Sequence, residues 1–251
     1  MARRKNGDYL YELRRITEPP KKIRGRSRAH NTSHRNKGQQ FTHLVRKYTS
    51  EAAYHTDTFD VGARLLSEGY VNEVTEAIAH LVDHKLEELA HNQHFGEVLR
   101  ALAKYGRSNL SVSIFKKIAQ EHPDVIASNR SLGKMFEGLI KSGEIEETGK
   151  QFYSLAVSNP QEVLANPDTG WIVEQLLYSE AYGMAFNGFY VLAKNHPGEL
   201  SSNESLPRAI RALREAQRAG AFNERTSELI DLRINNLIDF NPLLEGHGIH
   251  R

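Results

Sequence analysis

The sequence predicts an all-α chain: a right-handed α-solenoid of about five 37-residue helical hairpins behind a basic, irregular N-terminal arm. Three observations predict it. Asparagine recurs at Asn92, Asn129, Asn166 and Asn203, each 37 residues after the last. Leucine keeps that step at Leu102, Leu139, Leu176 and Leu213, and phenylalanine keeps it at Phe115, Phe152 and Phe189. The pairs Ile118-Ala119, Leu155-Ala156 and Leu192-Ala193 follow the same register, and Pro123, Pro160 and Pro197 close three of the blocks. Several independent columns holding one period mark a repeat array. Extending the register backwards adds a block at 55–91, with Leu65 and Leu81 at leucine positions, so the array spans 55–239.

In chain order, residues 1–40 form the basic extended arm. They are poor in apolar residues, with one helical stripe at Tyr9, Leu13 and Ile16 that ends at Pro19-Pro20. The run "KKIRGRSRAHNTSHRNKGQQ" that follows has no periodicity and too little apolar area to offset ordering entropy. Phe41, Leu44, Val45 and Tyr48 then fall at i, i+3, i+4, i+7, which predicts a capping helix over 41–54. It is expected to cover the open face of the first repeat.

Each block from 55 onward reads as two helices. Phe95, Leu99 and Leu102 form one stripe, and Gly106 follows, as Gly143 does one block on. Glycine suits the left-handed residue that ends a helix. Ile114, Phe115, Ile118 and Ala119 form the second stripe, which ends at His122-Pro123. Asn129, Ser131, Asp168 and Ser205 are candidate N-caps of the first helices. Gly96, Gly133 and Gly170 share a column that predicts close helix approach, and Pro207 fills it in the last block. A lone hairpin cannot bury both stripes, so neighbours must stack. End units should be atypical. With Leu86 and Ile234 where proline is expected, the second helix should run on in the first and last blocks. Residues 240–251 form a short glycine-containing tail.

The stretch "PDVIASNRSLGKMFEGLIKSGEIEETGKQF" is similar to a unit of the pentatricopeptide repeat family, with its Pro-Asp-Val opening, glycine turn and Glu-Glu start to the second helix. The period also resembles that of the heptatricopeptide repeats of organellar RNA-associated proteins. The first-helix segment is longer here and the second shorter. The resemblance implies a helical array and an association with RNA machinery, with an organellar matrix as location and the cytoplasm as the alternative. It carries over no base-reading residue.

Composition narrows the function classes. Cysteine is absent, which removes disulfides, cysteine-ligated zinc and cysteine nucleophiles. No apolar run approaches the length of a membrane span. The net charge of +2 conceals a split. Residues 1–47 hold 14 Lys/Arg against Asp8, Glu12 and Glu18, a net +11, and residues 48–251 carry −9. Such asymmetry points to a basic segment that meets nucleic acid or another anionic surface.

The candidate RNA-binding residues are therefore Arg3, Arg4, Lys5, Arg14, Arg15, Lys21, Lys22, Arg24, Arg26, Arg28, Arg35, Lys37, Arg46 and Lys47. A second basic ridge is predicted at Arg208, Arg211, Arg214 and Arg218, which step by three and four along one helix. His80 and His84 lie four apart with no His-Glu-x-x-His pattern, so they read as a polar helix face, and His122 and His196 as turn residues. No phosphate-cradling glycine loop occurs, and Glu87-Glu88 and Glu146-Glu147 read as solvated faces. The expectation is a protein that is not an enzyme, with no cofactor and no metal. It would be a structural, RNA-binding component of a ribonucleoprotein, with an organellar ribosome as the setting. Ribosomal RNA would meet the arm, neighbouring proteins would meet the solenoid, and no membrane is involved. The alternatives are a protein–protein scaffold without an RNA role, or an RNA- or DNA-processing helical-repeat factor.

Overall fold

The computed structural model describes residues 2–17 and 36–247, with side chains placed for 8–17 and 36–244. Every regular element among the described residues is helical. The chain opens with α1 (Ala2–Thr17), α2 (Lys37–Lys47) and α3 (Thr49–Tyr54). A threefold pattern of helices then repeats: α4 (Thr56–Ser67), α5 (Val71–His84), α6 (Leu86–His91); α7 (Phe95–Leu102), α8 (Ser108–Glu121), α9 (Pro123–Ser128). It continues with α10 (Leu132–Lys141), α11 (Ile145–Ser158), α12 (Pro160–Ala165); α13 (Thr169–Tyr178), α14 (Tyr182–Asn195), α15 (Pro197–Ser201). The last members are α16 (Leu206–Arg218), α17 (Glu224–Phe240) and a 3-10 turn at Pro242–His247.

Each of the four 37-residue blocks from 55 to 202 thus holds three helices where the sequence pattern suggests two. The short third helix begins after one broken residue. Tyr48, Lys85, His122, Asn159 and His196, each 37 residues apart, have φ between −146° and −126° and ψ between 43° and 57°. Proline follows this break in only three blocks, so the break does not depend on proline. Lys85 therefore stops α5, and the run-on helix expected in the first block does not form. The turn at Lys85 instead lets α6 bury Leu89 and Ala90. In the last block α17 does run on to Phe240, with Ile230, Ile234 and Leu237 buried.

Packing follows the same threefold order. First helices contact first helices along α4, α7, α10, α13 and α16, and the second helices α8, α11, α14 and α17 contact one another in order. The short helices do likewise from α3 through α6, α9, α12 and α15. Leu102, Leu139, Leu176 and Leu213 all sink into this core, as do Phe115, Phe152 and Phe189. Gly170 marks where the first helices are closest: a Cβ there would stand 2.1 Å from the Ser205 backbone oxygen.

The N-terminal region departs from an extended arm. Residues 2–17 are helical, and Tyr9, Leu13 and Ile16 are buried. The Tyr9 hydroxyl lies 2.7 Å from that of Thr58 in α4. The stripe at 41–54 is two helices broken at Tyr48, and α2 packs on α5. Apolar side chains, sparse as they are in 1–40, suffice to seat α1 on α2, α3 and α4.

The turn between first and second helices has positive φ at Gly69, Gly106, Gly143 and Gly220, but the equivalent residue in one block is Glu180, at φ 67°. A side chain in this region costs roughly 1–2 kcal/mol, and glycine's larger unfolded entropy returns part of it. Glu180→Gly is therefore expected to raise stability by about 0.5–1 kcal/mol in urea unfolding. Gly143→Glu should lower stability by a similar or larger amount.

Candidate nucleic-acid interface

The predicted basic residues fall into four structural groups. Arg14 and Arg15 are exposed on α1, with the Arg15 guanidinium 5.9 Å from the Tyr11 ring centroid. Arg3, Arg4 and Lys5 also belong to α1, outside the residues whose side chains are described. Lys21, Lys22, Arg24, Arg26, Arg28 and Arg35 lie outside the described residues altogether. Lys37, Arg46 and Lys47 are ion-paired to carboxylates of the protein itself.

Those pairs are short. Lys37 Nζ lies 2.8 Å from Glu68, Arg46 lies 2.7 Å from Glu76, and Lys47 Nζ lies 3.1 Å from Glu12. Asn36 caps α2 by accepting from the Gln39 N–H, and its amide donates to Glu73 at 3.1 Å. The Lys37 ammonium holds the Glu68 carboxyl below its ordinary value. The Tyr48 hydroxyl and the Glu12 carboxylate raise Lys47. Exposed pairs of this kind are screened by water and contribute little, so they orient α2 more than they stabilise it. They also leave these three cations less available to phosphate than their place in the sequence suggests.

The predicted ridge on α16 divides. Arg208 reaches Glu174 of α13 at 3.6 Å. Arg214 turns the other way, onto Asp231 and Gln217. Arg211 and Arg218 are exposed. The four do not form one track.

Sequence reasoning missed a set of ion pairs between successive first helices. Lys134 of α10 lies 2.5 Å from Glu97 of α7, and Arg100 of α7 lies 3.5 Å from Glu137 of α10. Burial raises the Glu97 carboxyl, but the Lys134 ammonium and Arg100 guanidinium outweigh it and hold it below its ordinary value. The signal was in the register: Glu97 and Lys134 are 37 residues apart, and so are Arg100 and Glu137. Opposite charges in one column of a repeat meet across neighbouring units.

Several histidines have partners within the fold. The His80 Nε2 is 3.0 Å from the Thr49 hydroxyl, and the His84 Nδ1 is 2.8 Å from the His80 carbonyl oxygen. His94 meets Asp60 at 2.9 Å. His122 and His196 stand at the breaks before α9 and α15. Among the described residues no three His, Asp or Glu side chains gather into a group able to hold a metal ion, and no helix is long and apolar enough to cross a membrane. No family model, curated protein or solved structure matches this chain.

Partial burial lowers the His80 imidazole, with the His84 and Arg46 charges adding to the effect and Asp83 opposing it. A histidine depressed in the fold binds its proton more readily in the unfolded chain, so its stability contribution is lost as pH falls below about 6.5. The melting temperature should therefore drop between pH 7.5 and 5.5, before the carboxylates titrate. His80→Gln should flatten that drop in a calorimetric series. An unchanged slope would show that other groups cause it.

Proposed function

We propose that the chain is a right-handed α-solenoid that serves, without catalysis, as a structural component of a ribonucleoprotein. In this reading the basic N-terminal region anchors in RNA and the acidic repeats contact neighbouring proteins. The repeat count becomes six, because α1, α2 and α3 take the places of first, second and third helix ahead of the five blocks read from the sequence. Supporting this count, the 37-residue step extends back from Ile78 to Phe41 and from Lys85 to Tyr48. The α2–α5 and α3–α6 contacts also match those of later blocks.

One observation carries the RNA assignment. The +11 of residues 1–47 is not cancelled by local pairing: Lys37, Arg46 and Lys47 are neutralised by Glu68, Glu76 and Glu12, but Arg14 and Arg15 lie exposed beside a segment, 18–35, with six Lys/Arg and one acid. The helices on either side of it in the sequence, α1 and α2, are seated in the fold. Phosphates bound there would position the protein without reading sequence. The organellar ribosome is the setting that the pentatricopeptide-like resemblance suggests.

Removing residues 1–40 would also remove α1 and the start of α2, so truncation cannot isolate the charge. The test is substitution of Lys21, Lys22, Arg24, Arg26, Arg28 and Arg35 by glutamine. Each neutralised phosphate contributes about 0.7–0.9 to the slope of log affinity against log salt, so six lost contacts should flatten it by about 4–5. Titration of wild type and variant against structured RNA at several salt concentrations reads this directly. Equal slopes would sink the RNA role and favour a protein scaffold.

A further inference from the structure

The register that pairs opposite charges also brings two like ones together. Lys104 of the α7–α8 turn and Lys141 of α10 occupy one column, 37 residues apart. That column holds Ser67 one block earlier and Tyr178 one block later, so the doubled positive charge is confined to this place in the array. Both lysines line a cavity of about 630 Å³ that reaches from Ala63 of α4 across α7 to α10.

Close helix approach sets the charges around it. Gly138 of α10 lies against α7, where a Cβ would stand 2.6 Å from the Arg100 Cα. Arg100 thereby reaches carboxylates on both helices, Glu97 at 2.8 Å and Glu137 at 3.5 Å. Glu97 also takes Lys134, and Glu137 takes Lys141. Lys104 meets no carboxylate among the described residues, and its ammonium lies 5.4 Å from the Tyr105 ring centroid. Four cations therefore surround two carboxylates, an excess of +2 within a body that carries −9. The cavity is also lined by Ser108, the first residue of α8, whose hydroxyl makes no hydrogen bond among the described residues. A helix start adds partial positive charge. Like charges gathered in one cleft raise the local concentration of an anion that relieves them.

We propose that this cavity binds a phosphate monoester, with the dianion on Lys104, Lys141 and the Ser108 hydroxyl and the attached organic group against Tyr105. A phosphate monoester carries about −1.5 to −2 at pH 7 and offers three strong acceptor oxygens. That charge matches the +2 excess, and the oxygens match the two lysines and the hydroxyl. A single carboxylate or an internal phosphodiester brings only −1. Tyr105, Ala63 and Ala101 give the cavity an apolar wall, which suits an organic phosphate better than the inorganic ion. The cavity beside Tyr54 shows the contrast: Glu87 and Glu88 line it and would repel the same ligand. A small molecule and the 5′ end of an RNA present the same monoester chemistry. The proposal goes beyond the anchoring of RNA by the N-terminal region and does not depend on it.

The test is isothermal titration calorimetry of the full-length protein at low salt with adenosine 5′-monophosphate and with adenosine. The monophosphate should bind saturably, and adenosine should not. Lys104→Gln removes the lysine that no carboxylate holds and should weaken binding about tenfold. Glu137→Gln should tighten it by leaving Arg100 and Lys141 less neutralised, a gain that misfolding would not produce. A variant with glutamine at the six Lys/Arg of 18–35 should bind the monophosphate as the wild type does, which separates this site from the RNA reading. In that variant, competition by 5′-phosphorylated oligouridylate but not by its 5′-hydroxyl form would assign the cavity to an RNA end. Competition by neither would assign it to a small organic phosphate. No saturable heat, an equal response to adenosine, an unchanged affinity in Lys104→Gln, a weaker one in Glu137→Gln, or equal competition by the two oligouridylates would overturn the proposal.

Discussion

A buried asparagine amide sets the spacing on which the rest of the structure depends. The Asn129 amide donates to the Ala90 oxygen at 2.6 Å and the Asn92 oxygen at 3.2 Å, both at the C-terminal end of α6. Asn166 repeats this with Ala127 and Asn129, and Asn203 with Leu164 and Asn166. Each side-chain oxygen accepts the backbone N–H two residues on, as Asn129 does from Ser131 at 2.8 Å. Every rung therefore ties the end of one short third helix to the next, and the backbone oxygen of one asparagine receives the amide of the following one. These groups are shielded from water, where an unmet donor or acceptor costs about 1–3 kcal/mol. Only one inter-block distance satisfies both bonds. With that distance fixed, the glycine column must allow close approach, and the leucine and phenylalanine columns must fall in register.

The ladder explains what the sequence made legible. The period, the buried columns and the helical class could all be read because each block solves the same packing problem with the same residue types. The role of the asparagines could not. As candidate caps, Asn129 and its neighbours were placed at the right turn with the wrong partner, because an amide bonded 39 residues away leaves no local signature. Ser131 shows the same displacement: it stands at the N-cap of α10, yet its hydroxyl accepts the Gly96 N–H of the preceding block. The third helix was hidden because six residues are too few for a periodic stripe. The seating of α1 was hidden because residues between it and α2 break the 37-residue register.

The same logic governs the candidate site. Single cations could be found by composition, but pairing is a property of columns in space. Lys37 and Arg46 look like members of a basic arm until α2 is laid against the end of α4 and α5, where the protein already supplies their carboxylates. Arg208 and Arg214 look like one ridge until α13 and α17 draw them apart. What remains after this internal pairing is a basic N-terminal region ahead of a body that carries −9, a charge that disfavours a continuous nucleic-acid track along the repeats.

The claim that asparagine rungs hold the blocks together is tested most directly by Asn129→Ala, with urea unfolding followed by far-ultraviolet circular dichroism and by Trp171 fluorescence. The variant loses four bonds of about 0.5–1.5 kcal/mol each, so it should be destabilised by about 2–6 kcal/mol. In a linear array, weakening one interface also uncouples its two sides. The two signals, coincident in the wild type, should then separate, with the blocks around Trp171 unfolding apart from those before Asn129. A loss below about 0.5 kcal/mol with coincident transitions would contradict the account, because it would mean that side-chain packing alone sets the spacing.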